Sequence, residues 1–190
     1  MEQLKQAILT RGKTIGTEVL LVDSFLNHQV DVVLMQEIGH EFAFAFRDRH
    51  IDRVVTIESS GIAPASFAAL ALGVPLVIMK KQTSKIMTGD LLTTTVVSFT
   101  KGTEYTLTIK REFMPKGDDV LFIDDFLASG EAAFGARRLI QQAGAHLVGV
   151  GIVIEKSFQQ GRSRLEKEGV DVISLARIGS MGADGITFVD

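Results

Sequence analysis

Apolar side chains at Leu34, Ile38, Phe42 and Phe46 recur every four residues, so residues 29–49 are predicted to form a helix with one buried face. The run Arg53-Val54-Val55-Thr56-Ile57 that follows is β-branched and lacks polar alternation, the pattern of a buried strand. Residues 62–72 predict a second helix stopped by Gly73, and residues 74–79 the next strand. Side-chain types alternate across 93–99 and 103–110 around Lys101-Gly102, which predicts an antiparallel pair. A short apolar strand is expected over 119–124, ending in acids. Residues 131–143 predict an amphipathic helix with Phe134, Leu139 and Ile140 inward and Gly144 as its stop. A buried strand over 147–154, a polar helix over 159–168 and a last strand over 170–175 follow. No element is predicted from residues 1–10, where polar and apolar side chains alternate without the continuous apolar core of a secretory signal.

Strands alternating with helices predict an α/β fold on a mostly parallel sheet, with ligands at the carboxyl ends of the strands. A length of 190 residues fits a single domain with a substantial core, and 46% apolar against 23% charged residues argues against a disordered chain. The net charge of -3 carries no basic field for nucleic acid. The absence of cysteine removes disulfides, thiolate metal sites and cysteine nucleophiles, and suits a reducing cytoplasm. The longest apolar stretch, residues 63–79, is broken by Pro64, Gly73 and Pro75, so a soluble cytoplasmic protein is expected. The four histidines form no i, i+4 pair, and no zinc site is expected. No GxSxG, GxGxxG or GxxxxGK[ST] pattern occurs, which sets aside hydrolase, Rossmann and P-loop readings.

The most informative segment is Val120-Leu121-Phe122-Ile123-Asp124-Asp125-Phe126-Leu127-Ala128-Ser129-Gly130-Glu131-Ala132. A buried strand is expected to deliver two carboxylates to its exposed end, and a loop of small residues then opens a helix. Backbone amides at a helix N-terminus suit a phosphate. Carboxylates beside such a seat would repel the ligand unless they held sugar hydroxyls, directly or through hydrated Mg²⁺. The combination asks for a sugar phosphate. Taken alone, the two acids would be a strand terminus and Ser129 or Gly130 plain helix punctuation. Glu58-Ser59-Ser60-Gly61 likewise joins a strand to a helix, as an anion seat or a simple helix entry.

The 120–132 segment resembles the motif with which type I phosphoribosyltransferases bind 5-phosphoribosyl 1-diphosphate (PRPP). Residues 20–29, Glu58 to Pro64 and Val153 to Phe158 resemble a bacterial purine branch of that family, and the likeness covers essentially the entire chain. It implies the type I phosphoribosyltransferase fold: a twisted, mostly parallel sheet flanked by helices, an N-terminal hood mainly within residues 1–35, and a mobile β-hairpin loop. The implied reaction converts xanthine and PRPP to xanthosine 5′-monophosphate and diphosphate with Mg²⁺, in a homodimer. Asp124 and Asp125 are expected on the ribose hydroxyls, and Ala128, Ser129, Gly130, Glu131 and Ala132 on the 5′-phosphate. Glu58, Ser59, Ser60 and Gly61 match the diphosphate loop, where a strained, often cis, peptide is expected. Leu20, Asn27 and Lys156 are expected on the base, Lys156 donating to a purine carbonyl; Phe158 is either a stacking ring or a core side chain. Residues 80–101, with Lys80, Lys81 and Lys85 in front, match the catalytic loop that closes over PRPP. Two positions depart from the family: Ala132 replaces the usual threonine, and Ala128 stands where many relatives carry an aspartate proposed to handle the N7 proton. The general base is therefore unassigned. Two other readings exist within the same fold. A PRPP-sensing regulator would carry a DNA-binding domain and a basic surface, neither of which this sequence offers. An adenine-specific enzyme is disfavoured by Lys156, because an ammonium suits a carbonyl rather than an amino group.

Overall fold

The computed structural model describes residues 1–81, 89–98 and 102–189. Its N-terminus corrects the sequence reading: Glu2–Arg11 is helix α1, because Leu4, Ala7 and Ile8, spaced i, i+3, i+4, make one buried stripe. Strands β1 (Lys13–Ile15) and β2 (Val19–Leu21) form an unpredicted antiparallel hairpin. Helix α2 (Val32–Ala45) starts at Asp31, whose carboxylate accepts from the Leu34 amide at 3.2 Å. Leu34, Ile38, Phe42 and Phe46 are all buried, as the spacing predicts.

Strand β3 (Arg53–Ile57), helix α3 (Ile62–Leu72) and strand β4 (Leu76–Met79) follow, and α3 ends at Gly73 in the left-handed region. Strands β5 (Leu91–Ser98) and β6 (Thr103–Lys110) pair antiparallel as predicted. Phe99 and Lys101 lie outside the described residues. The remaining elements are β7 (Asp119–Leu127), α4 (Glu131–Ala143), β8 (His146–Lys156), α5 (Gly161–Lys167), β9 (Val172–Gly182) and β10 (Gly185–Phe188).

The main sheet has the order β10-β9-β8-β7-β3-β4, parallel except for β10, which returns antiparallel to β9. Alternation along β7 sends Leu121 and Ile123 into one core, with α1, α2 and α3. Val120 and Phe122 enter the opposite core, shared with α4, Leu165 of α5 and the β5–β6 hairpin. Several strand ends run past their predicted limits, β8 reaching Lys156. Strand β7 continues through Leu127, because β8 pairs with it as far as Leu127 opposite Glu155. Strand β9 continues to Gly182, where β10 covers its edge. Among the described residues no helix is long and apolar enough to cross a membrane.

Candidate active site

A cavity of about 510 Å³ opens at the carboxyl ends of β7 and β8, where a parallel sheet places its ligands. Ala128, Ser129, Gly130, Glu131 and Ala132 all line it, together with Asp124. Gly130 takes φ +88° immediately before α4, and no side chain caps that helix. The first amides of α4 thus meet no acceptor within their own helix, and an anion would satisfy them.

Asp124 and Asp125 do not sit at an exposed strand end. Both lie within β7 and are buried, at 8% and 9% exposure, because the pairing with β8 carries the strand past them. Asp124 lines the cavity, and the Asp125 amide donates to Asp124 Oδ1 at 3.0 Å. Burial, then the charge of Asp125, pushes the Asp124 carboxyl well above the usual range. Gly61 packs against this carboxylate: a Cβ there would stand 2.8 Å from Asp124 Oδ1 and 2.4 Å from Thr56 Oγ1.

Glu58, Ser59, Ser60 and Gly61 approach the site from the end of β3 without lining the cavity. The Glu58–Ser59 peptide is cis. The Glu58 carboxylate faces lysines rather than an anion: Oε1 accepts from the Lys81 amide at 2.7 Å, and Oε2 lies 3.2 Å from Lys80 Nζ. Burial opposes ionisation of Glu58, but these two contacts hold its pKa below the ordinary value. Lys81 lines the cavity, with Nζ 5.7 Å from the Tyr105 ring. Lys85 lies outside the described residues.

At the opposite end Lys156, the last residue of β8, lines the cavity over the Phe126 ring at 5.6 Å. Its Nζ donates to the Glu18 carbonyl at 2.5 Å, so the β1–β2 turn reaches across to the sheet edge. Burial lowers the Lys156 pKa, and the Glu18 charge partly offsets this. The other base-site candidates are not brought together with it. Leu20 is buried at 5% exposure, Asn27 is exposed, Phe158 is 40% exposed, and none of the three lines the cavity. Three polar lining residues escape sequence reasoning: Glu18 in a turn with no motif, Gln159 after β8, and Tyr105 on the hairpin. Tyr105 is the single tyrosine of the chain, the one feature that singles it out. Burial, then the charges of Asp124 and Glu131, raises its pKa.

For a divalent cation the fitting group is Asp124, a nearly enclosed carboxylate facing the cavity whose charge is costly until a cation offsets it. His50, Asp52 and Asp119 also bring ligand atoms within 4.8 Å of one another. They lie at the amino ends of β3 and β7, however, and along β7 the step from Asp119 to Asp124 is about 16 Å. That group takes no part in the cavity.

A buried acid on a central strand, a loop of small residues and an uncapped helix start around one cavity define a protein built to hold a phosphorylated sugar. The chain belongs to the phosphoribosyltransferase family, matching the Phosphoribosyl transferase domain over residues 32–181. It is 56% identical over 189 residues to Xanthine phosphoribosyltransferase 1 of Clostridium botulinum, covering 100% of both chains. It is 54% identical to the Xanthine phosphoribosyltransferase of Clostridium acetobutylicum, again over 100% of both. Its fold matches the crystal structure of adenine phosphoribosyltransferase from Saccharomyces cerevisiae with a TM-score of 0.73 at 26% identity, over 92% of this chain and 99% of that one.

Proposed function

We propose that the chain is a xanthine phosphoribosyltransferase, converting xanthine and PRPP to xanthosine 5′-monophosphate and diphosphate in purine salvage. One observation carries this reading: a single cavity has the Asp124 and 128–132 end at one side and the Lys156 ammonium at the other. A phosphoribosyl group fits the first end. A carbonyl-bearing base fits the second, where an ammonium favours an oxo over an amino substituent. The full-length likeness to relatives named for xanthine supports the same choice.

The loop amides hold the 5′-phosphate, and Asp124 with Asp125 holds the ribose hydroxyls. The C1′–O bond to diphosphate breaks as N9 of the base bonds to C1′, and the proton displaced from the base leaves with the diphosphate, an anion basic enough to carry it. Asp124 would hold the Mg²⁺ that accompanies PRPP, and the ion would supply charge to offset that of the departing diphosphate. Glu58 acts by holding Lys80 and Lys81 beside that diphosphate, while Ser59, Ser60 and Gly61 contribute backbone to the loop. The loop expected over residues 80–101 lies partly outside the described residues; of those described, Lys81 and Val97 line the cavity, where they would exclude water. The chain works as one catalytic unit in the cytoplasm, as a homodimer. Its hood, mainly residues 1–35, reaches the base end through Glu18, whose carbonyl accepts from Lys156.

Nucleotide formation with PRPP, Mg²⁺ and each of xanthine, guanine, hypoxanthine and adenine tests the proposal. Xanthine is expected to give the highest kcat/KM, and Lys156→Met to lower that value about 10- to 100-fold, the loss of one charged hydrogen bond. Preference for adenine would overturn the base assignment. Saturable PRPP binding without turnover on any base would make the protein a sensor.

A further inference from the structure

We infer that Arg164, on helix α5, is a positioning residue for the 5′-phosphate seat, a deepening that rests on the phosphoribosyl-transfer reading. The 128–132 loop holds its shape through contacts with the next layer of the protein. The Gly161 amide donates to the Ala128 carbonyl at 2.9 Å. Arg164 Nη1 donates to the Ser129 carbonyl at 2.6 Å, and lies 2.6 Å from Glu131 Oε1. The Arg164 guanidinium stacks on the Phe134 ring at 4.8 Å, so its fork is held on both sides.

Peptide planarity turns these outward contacts into an inward arrangement. In a trans peptide the C=O and the following N–H point in opposite directions. Ala128 and Ser129 carbonyls aimed at α5 therefore aim the Ser129 and Gly130 amides away from α5, on the side of the cavity both residues line. Gly161 permits the approach: a Cβ there would stand 2.4 Å from the Ala128 oxygen. Without Arg164, the Ser129 carbonyl has no donor among the described residues to fix the plane of its peptide.

Arg164 has a second task. Glu131 is the first residue of α4 and lines the same cavity, so an unpaired carboxylate there opposes a phosphate dianion. The ion pair with Arg164 turns that charge aside and offsets it. An aligned amide seat and a silenced carboxylate both depend on one guanidinium that touches neither the ribose nor the base end of the cavity.

The test separates the seat from the reaction. Ribose 5-phosphate titrated calorimetrically reads the seat alone, while turnover of xanthine with PRPP reads the transferase assignment. Arg164→Ala is expected to weaken ribose 5-phosphate and raise KM for PRPP about tenfold, with KM for xanthine within about twofold and an unchanged fold by circular dichroism. Arg164→Lys, which keeps the charge but loses the fork, should recover part of the loss. Adding Glu131→Gln to Arg164→Ala should recover a further part, a gain that general loosening of α5 would not give. Ribose 5-phosphate affinity within about twofold of the wild type in Arg164→Ala, or no recovery on adding Glu131→Gln, overturns the inference. Wild-type protein that binds ribose 5-phosphate but turns over no base overturns the transferase reading and leaves the Arg164 comparison valid. Wild-type protein that binds no ribose 5-phosphate overturns both.

Discussion

Arg162 grips Glu155 with three N–H···O contacts: Nε at 3.0 Å to each carboxylate oxygen, and Nη2 at 2.7 Å to Oε2. Ser157 Oγ donates to Oε1 at 2.7 Å, Ser174 Oγ to Oε2 at 2.5 Å, and Arg177 Nε approaches Oε1 at 3.4 Å. This carboxylate is 1% exposed, yet fully satisfied. The pair joins the end of β8, one residue before Lys156, to α5, which carries Gly161 and Arg164. Base end and phosphate seat therefore share one anchor on the sheet.

That anchor has a pH signature. Burial alone would raise the Glu155 pKa, but the hydrogen bonds of Arg162, Ser174 and Ser157 and the Arg162 charge take it down from 4.5 to about 2. A depressed carboxylate stabilises the folded state fully above its unfolded pKa and loses that contribution as pH falls toward the folded value. The contribution is on the order of 3 kcal/mol, present at pH 7 and lost progressively below about pH 4.5. Glu155→Gln leaves Arg162 without its counter-charge and should cost about 3 kcal/mol, or roughly 6–12 °C in Tm, at pH 7. Melting curves at pH 7 and pH 3 check this: the gap between variant and wild type must shrink at the lower pH. A gap independent of pH would assign the loss to packing rather than to charge.

Asp124 gives the opposite sign. Burial and the neighbouring Asp125 push its carboxyl up, so the folded chain holds this proton more tightly than the unfolded chain. Stability then falls as pH rises from the ordinary value of 3.8 through the raised one, a loss that a cation or ligand facing the carboxyl would offset. Asp124→Asn should accordingly raise Tm at pH 7 by roughly 2–6 °C, a gain of about 0.5–2 kcal/mol, while lowering kcat/KM by about 100-fold or more. Calorimetry across pH 4 to 8 alongside steady-state kinetics measures both. A variant less stable than the wild type at pH 7 would show that Asp124 serves the fold rather than the ligand.

The contrast between these two acids explains what the sequence could tell. Asp124 lies in a strand–acid–small loop–helix segment whose chemistry is local, so both its position and its neighbours along the chain are legible. The spacing of Leu34, Ile38, Phe42 and Phe46, and the β-branched run of β3, are legible for the same reason: a regular element writes its period into adjacent residues. The depth of the two acids is not legible. It depends on β8 pairing with β7 three residues beyond Asp124, a register set between distant segments. Glu155, Arg162 and Arg164 are ordinary charged residues in sequence, and only the packing of α5 against the sheet gives them partners. Glu18 reaches Lys156 across 138 residues, which no local pattern records. The short strands β1 and β2 and the return strand β10 are too brief to carry a clear alternation.

The hairpin that lends Val97 and Tyr105 to the cavity is seated on α4 by one absent methyl group. A Cβ at Gly135 would stand 2.4 Å from Val96 Cγ2 and 3.4 Å from Leu107 Cδ2. Val96 is β-branched and stiff at χ1, so it has little room to yield. Arg138, one turn along α4, holds the same strand by donating to Thr94 Oγ1 at 2.9 Å and to the Thr95 carbonyl at 2.8 Å. Gly135→Ala should therefore lift the hairpin from the helix, costing about 1–3 kcal/mol of overpacking. Because Val97 and Tyr105 move with it, KM for PRPP should rise several-fold while the preference among bases is kept. Val96→Ala opens the space that the new methyl needs. Combined with Gly135→Ala it should recover stability beyond the sum of the single changes, by a coupling of about 0.5–3 kcal/mol. Denaturant unfolding of the four proteins of this cycle, with PRPP kinetics on each, measures the coupling. Strict additivity, or a Gly135→Ala protein as stable as the wild type, would mean that the hairpin is held by the Arg138 contacts alone.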